Sequence, residues 1–284
     1  MEGVSYSWYR SSSRHCSKLA NGVKMQTHPV AVITGASSGI GAALARRLGQ
    51  KEFRLALAAR RADALDAVSA EIQGDTLAIV ADVTRRVDVE RVRDEAIRRF
   101  GTVDVWVNNA GRGVNAPVLD LTDEQFDEMM AVNVKSALYG MQAIVPHFKE
   151  RGWGHLINVS SFLSRVPLAT YRSAYNAAKA ALNALTANLR MDLRRHYPDI
   201  HVSLVMPGMV TTEFAKNALG GTPAVTWAAA PGGSGPQIQT ADDVAVAIES
   251  LIESPREEIY TQRGQPDTVV RYFKDVGAFE RGLP

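Results

Sequence analysis

The chain has little cysteine and no long apolar stretch. Its 284 residues include one cysteine, Cys16, which cannot form an internal disulfide, so a disulfide-linked secreted domain is excluded. No apolar run approaches the roughly 18 residues that cross a bilayer, and the N-terminal segment lacks the apolar core of a secretory signal. The six histidines show no metal-ligand spacing. We therefore expect a cytoplasmic protein with no membrane span and no bound metal.

An excess of positive charge is also missing from the body of the chain. The formal net charge is +2, but residues 1–28 alone contribute +3, which leaves −1 for the remainder. Arginines crowd the segment 85–99, where acidic residues are interleaved with them, a pattern typical of a solvated helix face. Because nucleic-acid binding needs cations concentrated on the folded body, we expect no nucleic-acid partner.

Apolar runs and helical patterns alternate from residue 29 onward. The runs lie at 30–34, 55–59, 76–80, 103–107, 155–159, 201–206 and 258–260. The helical stretches between them lie near 40–48, 62–73, 86–100, 123–149, 173–196 and 241–253. Continuous apolar runs separated by helices are typical of parallel strands buried on both faces.

This alternation predicts an α/β fold: a single doubly wound, Rossmann-type parallel sheet of about seven strands with helices on both faces. Residues 29–284 are expected to form one domain. Residues 1–28 are rich in serine and show no apolar periodicity, so we expect a flexible N-terminal extension, with Met25 as an alternative natural start.

A glycine-rich loop joins the first predicted strand to the first helix. Gly35, Gly39 and Gly41 stand in the pattern G-x-x-x-G-x-G, with Ser37, Ser38 and Ile40 between them. Gly35 permits a tight turn, and the other two glycines let a pyrophosphate approach the backbone N–H groups at the helix N-terminus. A strand–loop–helix of this kind predicts a dinucleotide site.

Tyr175 and Lys179 are four residues apart on a predicted helix and therefore share one face. A tyrosine has a pKa of about 10, and lowering it to about 7 takes roughly 4 kcal/mol. An ammonium about 4 Å away supplies roughly that amount at an effective dielectric of about 20. The pair is thus adequate for proton transfer at neutral pH, although such a pair on its own is a common feature of helix surfaces.

Five motifs in order make the chain similar to short-chain dehydrogenases/reductases. They are the glycine loop, Asn108–Gly111 (NNAG), Ser161, the YNAAK segment from Tyr175 to Lys179, and Pro207–Thr212 (PGMVTT). The resemblance implies that Tyr175 is the general acid/base and that Lys179 lowers its pKa and holds the nicotinamide ribose. It also implies that Ser161 bonds the reacting carbonyl and that Asn133 holds a proton-relaying water.

The choice of Ser161 over its neighbour Ser160 follows from spacing. Ser161 lies fourteen residues before Tyr175, against about thirteen in the family, so we infer one extra residue within 168–173. Ser164 is the remaining candidate.

The cofactor is expected to be NADP(H), with NAD(H) as the alternative. A carboxylate at the end of the second strand would repel a 2′-phosphate, whereas this chain has Ala59 followed by Arg60 and Arg61. The resemblance places further residues around the nucleotide: Asp82, Val83, Asn109, Ala110 and Gly111 near adenosine and ribose, and Pro207, Val210 and Thr212 near the nicotinamide.

The predicted substrate is a small or medium apolar ketone, aldehyde or secondary alcohol. The residues expected near its pocket are mainly apolar: Val114, Phe162, Leu163, Val166, Met209, Phe214 and Trp227. Arg112 and Arg165 are alternative contacts for an anionic group, and the segment at about 213–239 is predicted to be a lid.

The function implied is NADPH-linked carbonyl reduction or alcohol oxidation. The alternatives are a non-catalytic NADP-binding sensor and an epimerase or dehydratase on the same fold. The resemblance also implies that the helices near 123–149 and 173–196, the second rich in alanine, pair between subunits in a homodimer or homotetramer.

Overall fold

A computed structural model describes residues 28–214, 217–220 and 238–283 of the chain. Its main sheet has seven parallel strands: β1 (Val30–Thr34), β2 (Arg54–Ala59), β3 (Thr76–Val80), β4 (Val105–Asn108), β5 (Gly154–Val159), β6 (Ile200–Met206) and β9 (Glu258–Tyr260). Their order in the sheet is β3-β2-β1-β4-β5-β6-β9. Two short strands, β7 (Met209–Thr211) and β8 (Ile238–Thr240), pair in parallel beside it.

Nine α-helices lie in the described part of the chain. They are α1 (Gly39–Gln50), α2 (Ala62–Ala70), α3 (Arg86–Phe100), α4 (Asp123–Met130), α5 (Ser136–Arg151), α6 (Ser173–Arg194), α7 (Ala241–Glu253), α8 (Gln265–Lys274) and α9 (Val276–Arg281). The predicted doubly wound sheet of about seven strands with helices on both faces is confirmed. The last two helices and the β7–β8 pair were not predicted.

Successive residues along the strands pack alternately into two apolar cores, one on each face of the sheet. In β1, Ala31 and Ile33 pack into the core that α1, α2 and α7 cover. Val30 and Val32 point the other way, into the core beneath α3, α5 and α6. All five residues of β1 are buried, and all but Thr34 are apolar, so apolar and polar residues do not alternate along the strand. This accounts for the continuous apolar runs in the sequence.

The stretch predicted as one helix near 123–149 contains a π-helical turn. Residues Ala131–Lys135 form it between α4 and α5, and Asn133 stands at its centre. The Asn133 side chain donates from Nδ2 to the backbone oxygens of Arg112, at 2.9 Å, and Met129, at 3.1 Å. Inserted π turns often mark functional sites, and here the turn brings the helix against the loop after β4.

Parallel strands place all their carboxyl ends at one edge of the sheet, and ligands of such sheets bind outside that edge. The loops after β1, β2, β3, β4, β5 and β6 therefore converge there. A third apolar cluster, which includes Val114, Phe162, Leu163 and Tyr175, lies on the same side. None of the helices in the described ranges is long and apolar enough to span a bilayer.

Candidate active site

One cavity of about 890 Å³ opens at the carboxyl edge of the sheet. It is lined by Ser161, Tyr175 and Lys179 and by nearly every residue predicted to hold the nucleotide. Those residues are Gly35, Ser37, Ser38, Gly39, Ile40, Arg60, Arg61, Asp82, Val83, Asn109, Ala110, Gly111, Pro207, Val210 and Thr212. Gly41 and Asn133 are absent from the lining and lie directly behind it.

The glycine loop is shaped so that side chains are excluded. Gly35 and Gly39 have φ of 67° and 55°, a region that favours glycine. A Cβ on Gly41 would lie 2.4 Å from the Gly35 oxygen and 2.6 Å from Asn109 Nδ2, so Gly41 allows the loop to close on α1. The first turn of α1 carries no acidic residue, which leaves its N-terminus open to an anion.

The loop after β4 is tied to the glycine loop. Asn109 donates from Nδ2 to the Thr34 oxygen at 2.9 Å, and the backbone N–H groups of Asn109 and Ala110 donate to Thr34 Oγ1. A Cβ on Gly111 would fall 2.9 Å from Asn133 Oδ1 and 3.5 Å from Lys179 Nζ. Gly111 thus keeps open the space between these two polar groups.

Cationic side chains border the end of the cavity beside β2. Ala59 ends β2, and no carboxylate follows it; Arg60 and Arg61 line the cavity instead. Arg61 Nη2 donates to Ser37 Oγ at 3.3 Å. Burial raises the pKa of Asp82, but hydrogen bonds from Thr84 and the charges of Arg60 and Arg85 outweigh it, so the pKa lies below its usual value. The Asp82 carboxylate therefore stays charged.

The adjacent serines have different partners. Ser160 Oγ donates to Asn183 Oδ1 at 2.6 Å, and Ser164 Oγ accepts from Asn183 Nδ2 at 2.7 Å, so both lie in one side-chain network. Ser161 Oγ accepts from the Leu163 backbone N–H at 3.2 Å and is within hydrogen-bonding reach of Tyr175. Of the three candidates, only Ser161 acts on the pKa of Tyr175.

Tyr175 and Lys179 are both buried on the first two turns of α6. Burial raises the pKa of Tyr175, and the Ser161 hydrogen bond and the charge of Arg172 oppose this rise. Burial lowers the pKa of Lys179 to about 8. Lys179 Nζ donates to the Val159 oxygen at 2.9 Å and lies 5.9 Å from the centre of the Tyr175 ring.

These positions differ from the simple ammonium–phenol pair expected from the sequence. Burial rather than the Lys179 charge dominates the Tyr175 pKa. The lysine is held by a backbone carbonyl at the end of β5, a contact that spacing along one helix does not reveal. The two groups nevertheless share one cavity with Ser161, the minimum that proton transfer requires.

The predicted substrate residues divide into three groups. Phe162, Leu163, Met209 and Phe214 line the cavity. Val114 and Val166 are fully buried and support the wall from behind. Trp227 and most of the predicted lid at 213–239 lie outside the described residues.

The two arginines predicted as alternative anion contacts both have carboxylate partners. Arg112 pairs with Glu128, and Arg165 Nη2 pairs with both oxygens of Glu258, at 2.8 and 3.0 Å. The sequence reasoning missed a third arginine, Arg172, which lines the cavity and is 9% exposed. Its position three residues before Tyr175 is the only sequence signal for it.

Comparison with known proteins agrees with this geometry. The family model "short chain dehydrogenase" matches residues 29–221. An uncharacterized oxidoreductase of Staphylococcus epidermidis is 36% identical over 187 residues, which covers 66% of this chain and 80% of the relative.

Two solved structures are similar over most of their length. A short-chain dehydrogenase/reductase from Burkholderia phymatum in complex with NAD superposes with a TM-score of 0.78 at 27% identity, over 88% of this chain and 95% of that one. An alcohol dehydrogenase from Thermococcus sibiricus, complexed with 5-hydroxy-NADP, gives 0.69 at 30% identity, over 83% and 98%.

The chain therefore belongs to the short-chain dehydrogenase/reductase family and is an oxidoreductase with a Rossmann-type fold. Nicotinamide cofactors of both kinds are bound by the similar structures. Within the described ranges, no group of histidine, cysteine and acidic side chains is arranged to hold a metal ion.

Proposed function

We propose that this protein is an NADPH-linked carbonyl reductase or alcohol dehydrogenase, acting on a ketone, an aldehyde or a secondary alcohol. The observation that carries the proposal is the shared cavity, in which Ser161, Tyr175 and Lys179 face the same space as the glycine loop. A nucleotide whose pyrophosphate rests on the N-terminus of α1 would extend toward Tyr175 along this cavity.

NADP(H), when bound, would supply or accept the hydride, and residues of the chain would transfer the proton. Ser161 Oγ hydrogen-bonds the substrate oxygen, and the Tyr175 hydroxyl donates its proton to that oxygen during reduction or removes it during oxidation. Lys179 lies between the tyrosine and Gly111, where its charge would stabilise the phenolate when it forms. Asn133 fixes the π-helical turn against the loop after β4, because its side chain donates hydrogen bonds to the backbone oxygens of Arg112 and Met129.

The preference for NADP(H) rests on the charges around the end of β2. A 2′-phosphate placed beside Ser37 would meet the guanidinium groups of Arg60 and Arg61 and no carboxylate at the end of the strand. Arginine is well suited to phosphate, because its planar fork donates two parallel hydrogen bonds. Ser38 provides no further cation, so the preference depends on the two arginines.

The proposal includes a homodimer or homotetramer built on α4, α5 and α6. Ala177, Ala180 and Ala184 form an exposed stripe of small residues along α6, while Ala178 faces the interior. Met191 on α6 is 65% exposed and Phe126 on α4 is 42% exposed. Small residues flanked by exposed apolar ones suit close helix pairing, and light scattering of the purified protein measures the resulting mass.

The experiment that tests the function is a panel of neutral aldehydes and ketones, with oxidation of NADPH or NADH followed by absorbance. We expect turnover with NADPH and a higher kcat/KM for NADPH than for NADH. Tight NADPH binding with no turnover of any carbonyl or alcohol would instead support the sensor. A higher kcat/KM with NADH would refute the cofactor preference alone.

A further inference from the structure

We propose that Arg172 holds a carboxylate of the substrate, so that the enzyme prefers carbonyl compounds that carry an acid group at the far end of an apolar spacer. This inference rests on the proposed function, because it names the substrate class of the same active site. Arg172 is a buried charged side chain without a charged partner among the described residues.

Arg172 precedes α6 as its N-cap residue and is only 9% exposed. Arginine is rarely buried to this extent unless a carboxylate pairs with it, because removing an isolated cation from water is costly. Within the described part of the chain, Arg172 forms no ion pair and no side-chain hydrogen bond. Its Nη1 atom is buried and has no acceptor.

Two aromatic rings hold the guanidinium group in place. Arg172 Cζ lies 5.6 Å from the centre of the Tyr171 ring and 5.8 Å from that of Phe214. Cation–π contacts offset part of the free-energy cost of desolvating a cation, but they provide no acceptors for its N–H groups. The side chain is therefore fixed in direction, while its buried Nη1 group has no acceptor within the described ranges.

The arginine is close to the reacting groups. Phe214 packs edge-on against Tyr175, with 5.4 Å between the ring centres. The Arg172 guanidinium group lies over the same Phe214 ring. All three residues line the cavity, and the charge of Arg172 acts on the Tyr175 hydroxyl. A substrate whose carbonyl reaches Tyr175 can thus place a second group near Arg172, with Phe162 and Leu163 along the wall.

The room for the guanidinium group depends on Gly113. A Cβ at this position would lie 2.3 Å from Arg172 Nη1 and 3.0 Å from the Phe214 ring. Any other residue here would push the arginine or the phenylalanine aside.

A carboxylate matches this arrangement better than other polar groups. It is planar, it accepts two parallel hydrogen bonds from one guanidinium, and its charge neutralises the buried cation. The other two arginines considered for this role are engaged, Arg112 with Glu128 and Arg165 with Glu258. Among these three, Arg172 alone has a guanidinium group without an acceptor in the part of the chain that the structure describes.

The test compares acids with their uncharged esters on the complete protein with NADPH. The probes are para-acetylbenzoate and levulinate, each paired with its methyl ester. For the wild type we expect kcat/KM to be about 10- to 100-fold higher for the acid, with most of the difference in KM, because a charge-assisted hydrogen bond is of that strength. Equal values, or a preference for the esters, would overturn the proposal without any variant.

Three variants assign the effect to one side chain. Arg172→Met keeps the length and apolar stem and should remove the preference for acids while ester turnover persists. Arg172→Lys should keep part of the preference, since it retains the charge without the planar fork. Arg165→Met removes a cation outside the cavity lining and should leave the acid-to-ester ratio unchanged.

The outcomes separate this inference from the function on which it rests. Two results together would overturn the carboxylate contact. Arg172→Met would lose acid and ester turnover in equal proportion, and Arg172→Lys would keep the acid-to-ester ratio of wild type. If Arg172→Met does not fold, the acid-to-ester ratios of wild type and Arg172→Lys decide: a lower ratio in Arg172→Lys supports the contact, and an equal ratio overturns it. Turnover of esters with no preference for acids refutes only this inference, whereas turnover of neither class with NADPH or NADH refutes the proposed function.

Discussion

Replacing Lys179 with methionine should make the nucleotide-free protein more stable at neutral pH while removing its activity. Folding buries the Lys179 ammonium and lowers its pKa from 10.5 to about 8. Each pKa unit corresponds to about 1.4 kcal/mol, so the charged lysine costs the folded state roughly 3 kcal/mol. Methionine has a similar length and no charge, and it removes this cost.

The gain in stability should be partly offset by a lost hydrogen bond. Lys179 Nζ donates to the Val159 oxygen at 2.9 Å, and methionine leaves that oxygen without this donor. An unsatisfied buried group costs about 1–3 kcal/mol. We therefore expect a net stabilisation of about 1 kcal/mol at pH 7.

The pH dependence of the effect is its most specific signature. A lysine with a lowered pKa binds its proton less tightly in the folded chain than in the unfolded one. Below about pH 8 both states are protonated and the full cost is present; between about pH 8 and 10.5 the folded state holds fewer protons, so wild-type stability rises with pH. The stability of Lys179→Met relative to wild type should therefore fall by roughly 2–3 kcal/mol between pH 7 and pH 10, so that the net gain at pH 7 becomes a net loss of about 1–2 kcal/mol at pH 10.

Urea denaturation of both proteins at pH 7 and pH 10, without nucleotide, measures this difference. Lys51→Met is a suitable control, because Lys51 is 53% exposed and pairs with Glu249 and Glu253 on the surface. A difference between Lys179→Met and wild type that is the same at both pH values would refute the reasoning.

The remaining predictions concern the nucleotide site. Replacing Arg60 and Arg61 together with alanine should raise KM for NADPH about 10- to 100-fold and leave KM for NADH nearly unchanged, as steady-state kinetics with both nucleotides will show; a parallel loss for both would contradict the 2′-phosphate contact. Gly41→Ala should weaken NADPH binding at least about tenfold in fluorescence titrations, because its Cβ would fall 2.4 Å from the Gly35 oxygen; unaltered affinity would count against the loop as a phosphate cradle. Asn133→Ala should lower the free energy of unfolding by about 1–3 kcal/mol, since two backbone oxygens lose their donor; an unchanged urea midpoint would rule this out.

Strand positions were predictable because apolar residues make up most of each strand of the main sheet. The predicted run at 30–34 matches β1, and 258–260 matches β9. The run at 76–80 likewise matches β3, and the remaining boundaries moved by one or two residues, as for β4, predicted at 103–107 and found at Val105–Asn108. Strand ends depend on pairing with neighbours, which local composition does not contain.

The π turn around Asn133 was not predictable from helical periodicity. It depends on hydrogen bonds to Arg112, 21 residues away along the chain. The roles of the arginines were hidden for the same reason. The partner of Arg165 is Glu258, 93 residues away, whereas Arg172 has no carboxylate partner among the described residues. Only the folded chain separates an arginine held by an ion pair from one with free donors.

The most direct test of the central claim is the rate of carbonyl reduction by Tyr175→Phe with saturating NADPH. The phenylalanine keeps the ring that packs on Phe214 and removes only the hydroxyl that transfers the proton. We expect kcat to fall by about 10²- to 10⁴-fold, while calorimetry shows NADPH binding within a few-fold of wild type. Turnover at the wild-type rate in this variant would contradict the assignment of Tyr175 as the acid/base.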